Sequence, residues 1–160
     1  MELEVVTIEK PEDVQVILGQ SHFIRTVEDL HEALAISTPD IRFGVAFSEA
    51  SGPCLVRRSG NDEELTELAA TNLTRIASGH VFIAFLRGAF PIHVLGAIRN
   101  VPEVCRVFCA SGNALQVVVA RTELGGGVLG VIDGSAPRGV EGAADVARRK
   151  EFLRTIGLKL

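Results

Sequence analysis

The stretch NVPEVCRVFCASGNALQVVVARTELGGGVLGVIDGSAPRGVE, Asn100 to Glu141, decides the architecture of this chain. Three strand-like runs, Val104 to Cys109, Leu115 to Thr122 and Val128 to Ile132, alternate with turns at Ser111-Gly112-Asn113 and Gly125-Gly126-Gly127. β-Branched residues fill the runs and glycines punctuate them, the pattern of strands joined by tight turns. The last two runs predict a hairpin. A loop from Asp133 to Gly139 closes the unit, with an acid at a strand end and Arg138 five residues on.

Upstream, Glu2 to Glu9 alternates loosely and predicts a strand ended by Pro11. Val14 to Leu18 predicts a second, stopped by Gly19. Thr26 is placed to cap a helix whose apolar stripe is Val27, Leu30 and Leu34. Phe43, Val45 and Phe47 share one face of a strand, which turns at Ala50-Ser51-Gly52-Pro53 into another from Cys54 to Arg58. Asn61 and Glu64 form a capping-box pattern before Leu65, Leu68, Ala69, Leu73 and Ile76, with Gly79 as the C-terminal cap. His80 to Leu86 is apolar enough for a central strand covered on both faces. Pro91 starts a short helix, and Ala143 to Ile156 predicts a last one with Arg148, Arg149, Lys150 and Arg154 towards its end. No repeat or linker interrupts the chain. The expected fold is α/β: a single domain over residues 1–160, a mixed sheet with helices packed on it and several β-hairpins, forming a compact sandwich.

The 160 residues are 47% hydrophobic and only 22% charged, a balance that predicts a homo-oligomer covering apolar surface. A net charge of −4 argues against nucleic acid, which requires a basic face. The apolar runs are too short to span a membrane, and acidic Glu2 and Glu4 do not open a secretory signal, so a cytoplasmic protein is expected. Cys54, Cys105 and Cys109 contain no CxxC. As strand neighbours, Cys105 and Cys109 would lie about 13 Å apart, so all three read as buried free thiols.

The opening stretch, together with GQSHFIRTVEDLHEAL (Gly19 to Leu34), FGVAFSEASGPCLVRRSGNDEEL (Phe43 to Leu65) and SGHVFIAF (Ser78 to Phe85), resembles the adenosine-specific kinase family over nearly the whole chain. The resemblance implies phosphoryl transfer between ATP and adenosine, with Mg²⁺ accompanying ATP, and a trimer. The chain departs from the family pattern at Ser111-Gly112, where Thr-Ala is expected, at Ala114, where Pro is common, and at His93, where Asn is more frequent.

No standard phosphate motif accounts for such chemistry. Gly125, Gly127 and Gly130 spell GxGxxG, but a strand follows where a dinucleotide site needs a helix N-terminus, so a hairpin turn is the better account. GxxxxGK[ST] and the protein-kinase signatures are absent. Three loops can hold phosphate through backbone NH groups, Arg and a metal. The first offers Glu49, Ser51 and Gly52; the second Ser111, Gly112 and Asn113; the third Asp133, Gly134 and Arg138. Asp133 and Glu49 are the candidate Mg²⁺ ligands. Each loop also fits an ordinary turn.

Of the four histidines, His31 reads as a rim residue, and the departure at His93 argues against an essential role there. His22 lies in Gln20-Ser21-His22-Phe23 between a strand and a helix, and His80 enters an apolar strand. Both match the family pattern, and either imidazole can carry a phosphoryl group or act as general base; each also fits a hydrogen-bonded core histidine. Adenine would lie against Phe23, Phe90 or Phe108. The function expected is a nucleotide-binding enzyme with His22, His80 and Asp133 as catalytic candidates; the alternative is a sensor that binds adenosine or AMP and catalyses nothing.

Overall fold

The most apolar run in the chain becomes the middle of its main sheet. In the computed structural model, which describes residues 1–160, strand β5 (Val81–Arg87) is buried from Val81 to Leu86. The other elements, in chain order, are β1 (Glu2–Thr7), β2 (Gln15–Ser21), α1 (Thr26–Ala35), β3 (Arg42–Ser48), β4 (Val56–Gly60), α2 (Glu63–Ile76), α3 (Pro91–Arg99), β6 (Val104–Ser111), β7 (Leu115–Arg121), β8 (Gly126–Asp133) and α4 (Ala143–Thr155). Five strands form one sheet in the order β4-β3-β5-β2-β6, and three form a second in the order β1-β7-β8. Every strand pairing is antiparallel.

Strand alternation divides the interior into two cores. Val81, Ile83 and Phe85 point into one, shared with Leu65, Ala69, Leu73 and Ile76 of α2 and with Val117 and Val119 of β7. Phe82, Ala84 and Leu86 point into the other, shared with Leu30 and Leu34 of α1 and with Val94 and Ile98 of α3. The molecule is an α/β sandwich in which the five-stranded sheet lies between α1 and α3 on one side and α2 with the smaller sheet on the other. No helix is long and apolar enough to cross a membrane.

Five local expectations are corrected. Gly19 does not stop β2: the strand continues to Ser21 through a register shift against β6. A Cβ at Gly19 would come within 2.3 Å of the Phe82 ring, so glycine marks a close approach rather than a strand end. Thr26 is the first residue of α1 rather than its cap, its Oγ1 donating to the Phe23 carbonyl at 2.5 Å. At α2 the cap is Asp62, which accepts from the Leu65 amide at 3.1 Å, while Asn61 bonds back to Phe43 and Ile41. The helix ends at Ala77, in the left-handed conformation, before Gly79 is reached. The thiols are not buried as a set: Cys54 lies in the exposed β3–β4 turn and Cys105 on edge strand β6, while Cys109 is half-buried.

Asp62→Ala is expected to lower stability by about 1 kcal/mol, because the Leu65 amide loses its acceptor and the charge at the helix N-terminus disappears. Thermal unfolding of the two proteins measures this loss. An unchanged midpoint would mean that Asp62 does not cap α2.

Candidate functional site

Antiparallel pairing brings the end of β2, the start of β5 and the end of β3 to one edge of the main sheet. The Ser21 amide donates to the His80 carbonyl at 3.0 Å, and the His80 amide donates to Ser48 at 2.8 Å. His80 is thereby tied to both neighbouring strands. Its φ of 57° is left-handed, and its ring stacks on Phe47 at 5.8 Å. The β2–α1 loop crosses the same edge, where the His22 amide donates to the Glu103 carbonyl and its ring stacks on Phe23 at 6.4 Å. His22, Phe23, Phe47, Glu49, Ser51 and His80 line a crevice of about 220 Å³.

The Glu49–Ala50 segment also borders a cleft of about 550 Å³, walled on its far side by Thr122 and Gly125 to Gly127. The three non-glycine residues with positive φ, Cys54, Ala77 and His80, all line one or other of these cavities. Left-handed backbone at such residues costs about 1–3 kcal/mol each and concentrates at functional sites. The rejected GxGxxG therefore borders this region as a hairpin turn, with no helix behind it.

Glu49 is built as an anion. Its Oε2 accepts from the Leu55 amide at 2.8 Å, and its Oε1 accepts from Arg57 Nε at 2.9 Å. The Leu55 amide, followed by Arg57, holds its carboxyl below the usual carboxylate range. The adjoining β2–α1 loop is anchored from behind by Glu103, whose carboxylate binds Arg25 while Arg25 also pairs with Asp29 at 3.0 Å. Burial, then the hydrogen bond with Glu103, pushes Asp29 up. Glu103 is itself held low: burial opposes its charge, but the Arg25 hydrogen bond leads the contacts that outweigh it.

A raised Asp29 favours folding only while it is protonated, so its contribution is complete below its unfolded value of about 3.9 and disappears as pH rises through the folded value. Asp29→Asn, which can donate to Glu103 without a titrating proton, is expected to raise Tm at pH 7 by on the order of 1–3 °C. The gain should disappear below about pH 4. An equal gain at both pH values would rule out titration of Asp29 as its cause.

The expected site residues fall into two groups. His22, Glu49, Ser51 and His80 line the crevice, and Gln20, Ser21 and Gly52 flank them along the chain, with the Ser21 hydroxyl buried and lacking a hydrogen-bond partner. Ser111 pairs with Val16 near the other end of β2, about 17 Å away along the strand. There Ser111 Oγ donates to Asp133 Oδ1 at 2.5 Å and Asn113 Nδ2 donates to it at 3.1 Å. The Gly112 carbonyl accepts from Lys10, and Gly134, with a φ of 64°, donates its amide to Ala114. Cys109 stands beside them, its thiol pushed up to about 11 by burial and the Asp133 charge. Arg138 lies exposed beyond β8.

Within one chain, then, the three loops do not meet around a single ligand. Asp133 and Glu49 of the same chain lie too far apart to share one Mg²⁺, and no trio of His, Cys, Asp or Glu gathers elsewhere in it. Of the candidate aromatics only Phe23 lines the crevice; Phe90 is exposed at the start of α3, and Phe108 packs against the core. His93 accepts from the Phe90 amide and so supports a helix end. Arg57 and Glu103 were missed by sequence reasoning, because their partners lie eight and 78 residues away.

A two-core antiparallel α/β sandwich with a pair of imidazoles in a crevice at one sheet edge defines the structural class. The chain belongs to the adenosine-specific kinase family, whose model matches residues 6–159. It is also similar to a solved structure, the PH1918 protein from Pyrococcus horikoshii OT3, at 47% identity and a TM-score of 0.96, covering 99% of this chain and 98% of that one. A search of curated proteins found no match.

Proposed function

We propose that the His22–His80 crevice binds adenosine and ATP and moves a phosphoryl group between them through His80. The observation that carries this reading is the meeting of two imidazoles with Phe23, Glu49 and Ser51 in one cavity. Phe23 offers a face for adenine, and the open cleft beyond Glu49 gives the nucleotide room. Arg57 holds the Glu49 carboxylate in place beside the crevice.

The imidazole nitrogen of His80 attacks the γ-phosphorus as the bond to the ADP oxygen breaks. The phosphoryl group then passes from nitrogen to a ribose hydroxyl, and His22 takes the hydroxyl proton. His80 suits the carrier role because both its backbone groups are fixed, whereas the exposed His22 sits on a loop. The residues do not form a Mg²⁺ site: Glu49 is already committed to Arg57 and Leu55, and Asp133 lies at the far end of β2.

The same reading includes a cytoplasmic homo-oligomer, with the trimer resting on family resemblance. Calorimetry with adenosine, AMP and ATP, followed by transfer of labelled phosphate, tests the function. Binding with neither transfer nor protein label would leave a sensor. Absence of binding at millimolar nucleotide would remove the crevice from consideration.

A further inference from the structure

We infer that the C-terminal arm and helix α4 of one copy pack on the outer face of the β1-β7-β8 sheet of a second copy. This rests on the homo-oligomer of the proposed function and goes beyond it by naming the contact. Helix α4 is 13 residues long, and none of them is buried. A helix of that length without tertiary packing is marginal in water. Residues 135–142, which lead to it from β8, are exposed throughout and can reach up to about 30 Å.

The receiving surface is equally unpartnered. Val6, Val117 and Val131 turn inward to the core, leaving their strand neighbours on the other face. There Leu3 is 67% exposed, Leu129 63% and Ile132 48%, while on α4 Phe152 is 59% exposed. The chain exposes 9327 Å² in all. A folded monomer of this mass should expose about 7,800 Å². The excess, roughly 1,500 Å², is what one partner contributes to a large obligate interface.

The helix and its tail also differ in charge from the rest of the chain. From Ala143 onward the chain carries five basic and two acidic side chains, although the whole is at −4. Arg148 and Arg149 are paired within their own chain, leaving Lys150, Arg154 and Lys159 outside those pairs. The Ser111–Asn113–Asp133 network pins the strand from which the arm departs.

Light scattering on the full chain tests the inference, with Phe152→Glu disabling the helix, Leu129→Glu disabling the sheet face and Ile36→Glu as an exposed control. The wild type and the control should run at a multiple of 17.1 kDa, and each interface variant at 17.1 kDa. An equimolar mixture of the two variants should regain one helix-on-sheet contact and form a one-to-one complex. A monomeric wild type, an interface variant that stays assembled, or a mixture that stays monomeric would each overturn it. A monomeric wild type would also remove the homo-oligomer from the proposed function, whereas nucleotide binding and phosphate transfer are measured separately, so failure of this contact and failure of that chemistry are distinguishable.

Discussion

His80→Asn is expected to abolish labelling of the protein by γ-labelled ATP and to lower transfer to adenosine by about 10²–10⁴-fold. Asparagine is chosen because it tolerates left-handed backbone, so the φ of 57° and the bonds to Ser21 and Ser48 survive. What is lost is the ring nitrogen. The wild-type label should be lost in acid and kept in base, as expected of phosphate on imidazole. His22→Asn leaves the carrier in place and should slow delivery to the ribose hydroxyl without removing the label. Reversed behaviour would exchange the two roles; full labelling of both single variants would end the carrier mechanism. An unchanged melting temperature in each variant separates lost chemistry from lost fold.

Gly44→Ala is expected to cost about 3 kcal/mol or more, a fall in Tm on the order of 10 °C. A Cβ at Gly44 would lie 2.2 Å from the Leu65 carbonyl carbon and the Thr66 amide nitrogen, both backbone atoms in the first turn of α2. No side chain can rotate to make room, so either β3 or the helix must move. The helix is pinned there by the Asp62 cap, and β3 by pairing on both sides with β4 and β5. Gly96→Ala is the matched control: it lies within α3 with nothing within 4 Å of the added Cβ, so it should be neutral or stabilising. If both variants melt with the wild type, α2 does not sit against β3 as described.

Local patterns located most elements. Alternation and turn residues placed β7 and β8, and helical spacing of Leu65, Ala69, Leu73 and Ile76 placed the buried face of α2. The misplaced ends have a common cause. Gly19 and Asn61 carry signals used elsewhere as terminators or caps, but here they answer to contacts with Phe82, and with Ile41 and Phe43, that no local window contains. His22, His80, Glu49 and Ser51 were legible as candidates through family resemblance; the grouping of the other two loops with them was not. That grouping depends on which end of β2 each strand pairs with.

The order of amino acids by itself determined the kinds of element, the two-sided burial of β5 and the family, because propensity, periodicity and motif are properties of neighbouring residues. Tertiary structure alone decided that the two imidazoles share a crevice while Ser111 and Asp133 lie at the opposite end of the sheet. It also decided that Glu49 is committed to Arg57 and that α4 stands free of its own chain. These are consequences of strand register and long-range packing, in which a hydrogen-bonded ladder sets which distant residues become neighbours.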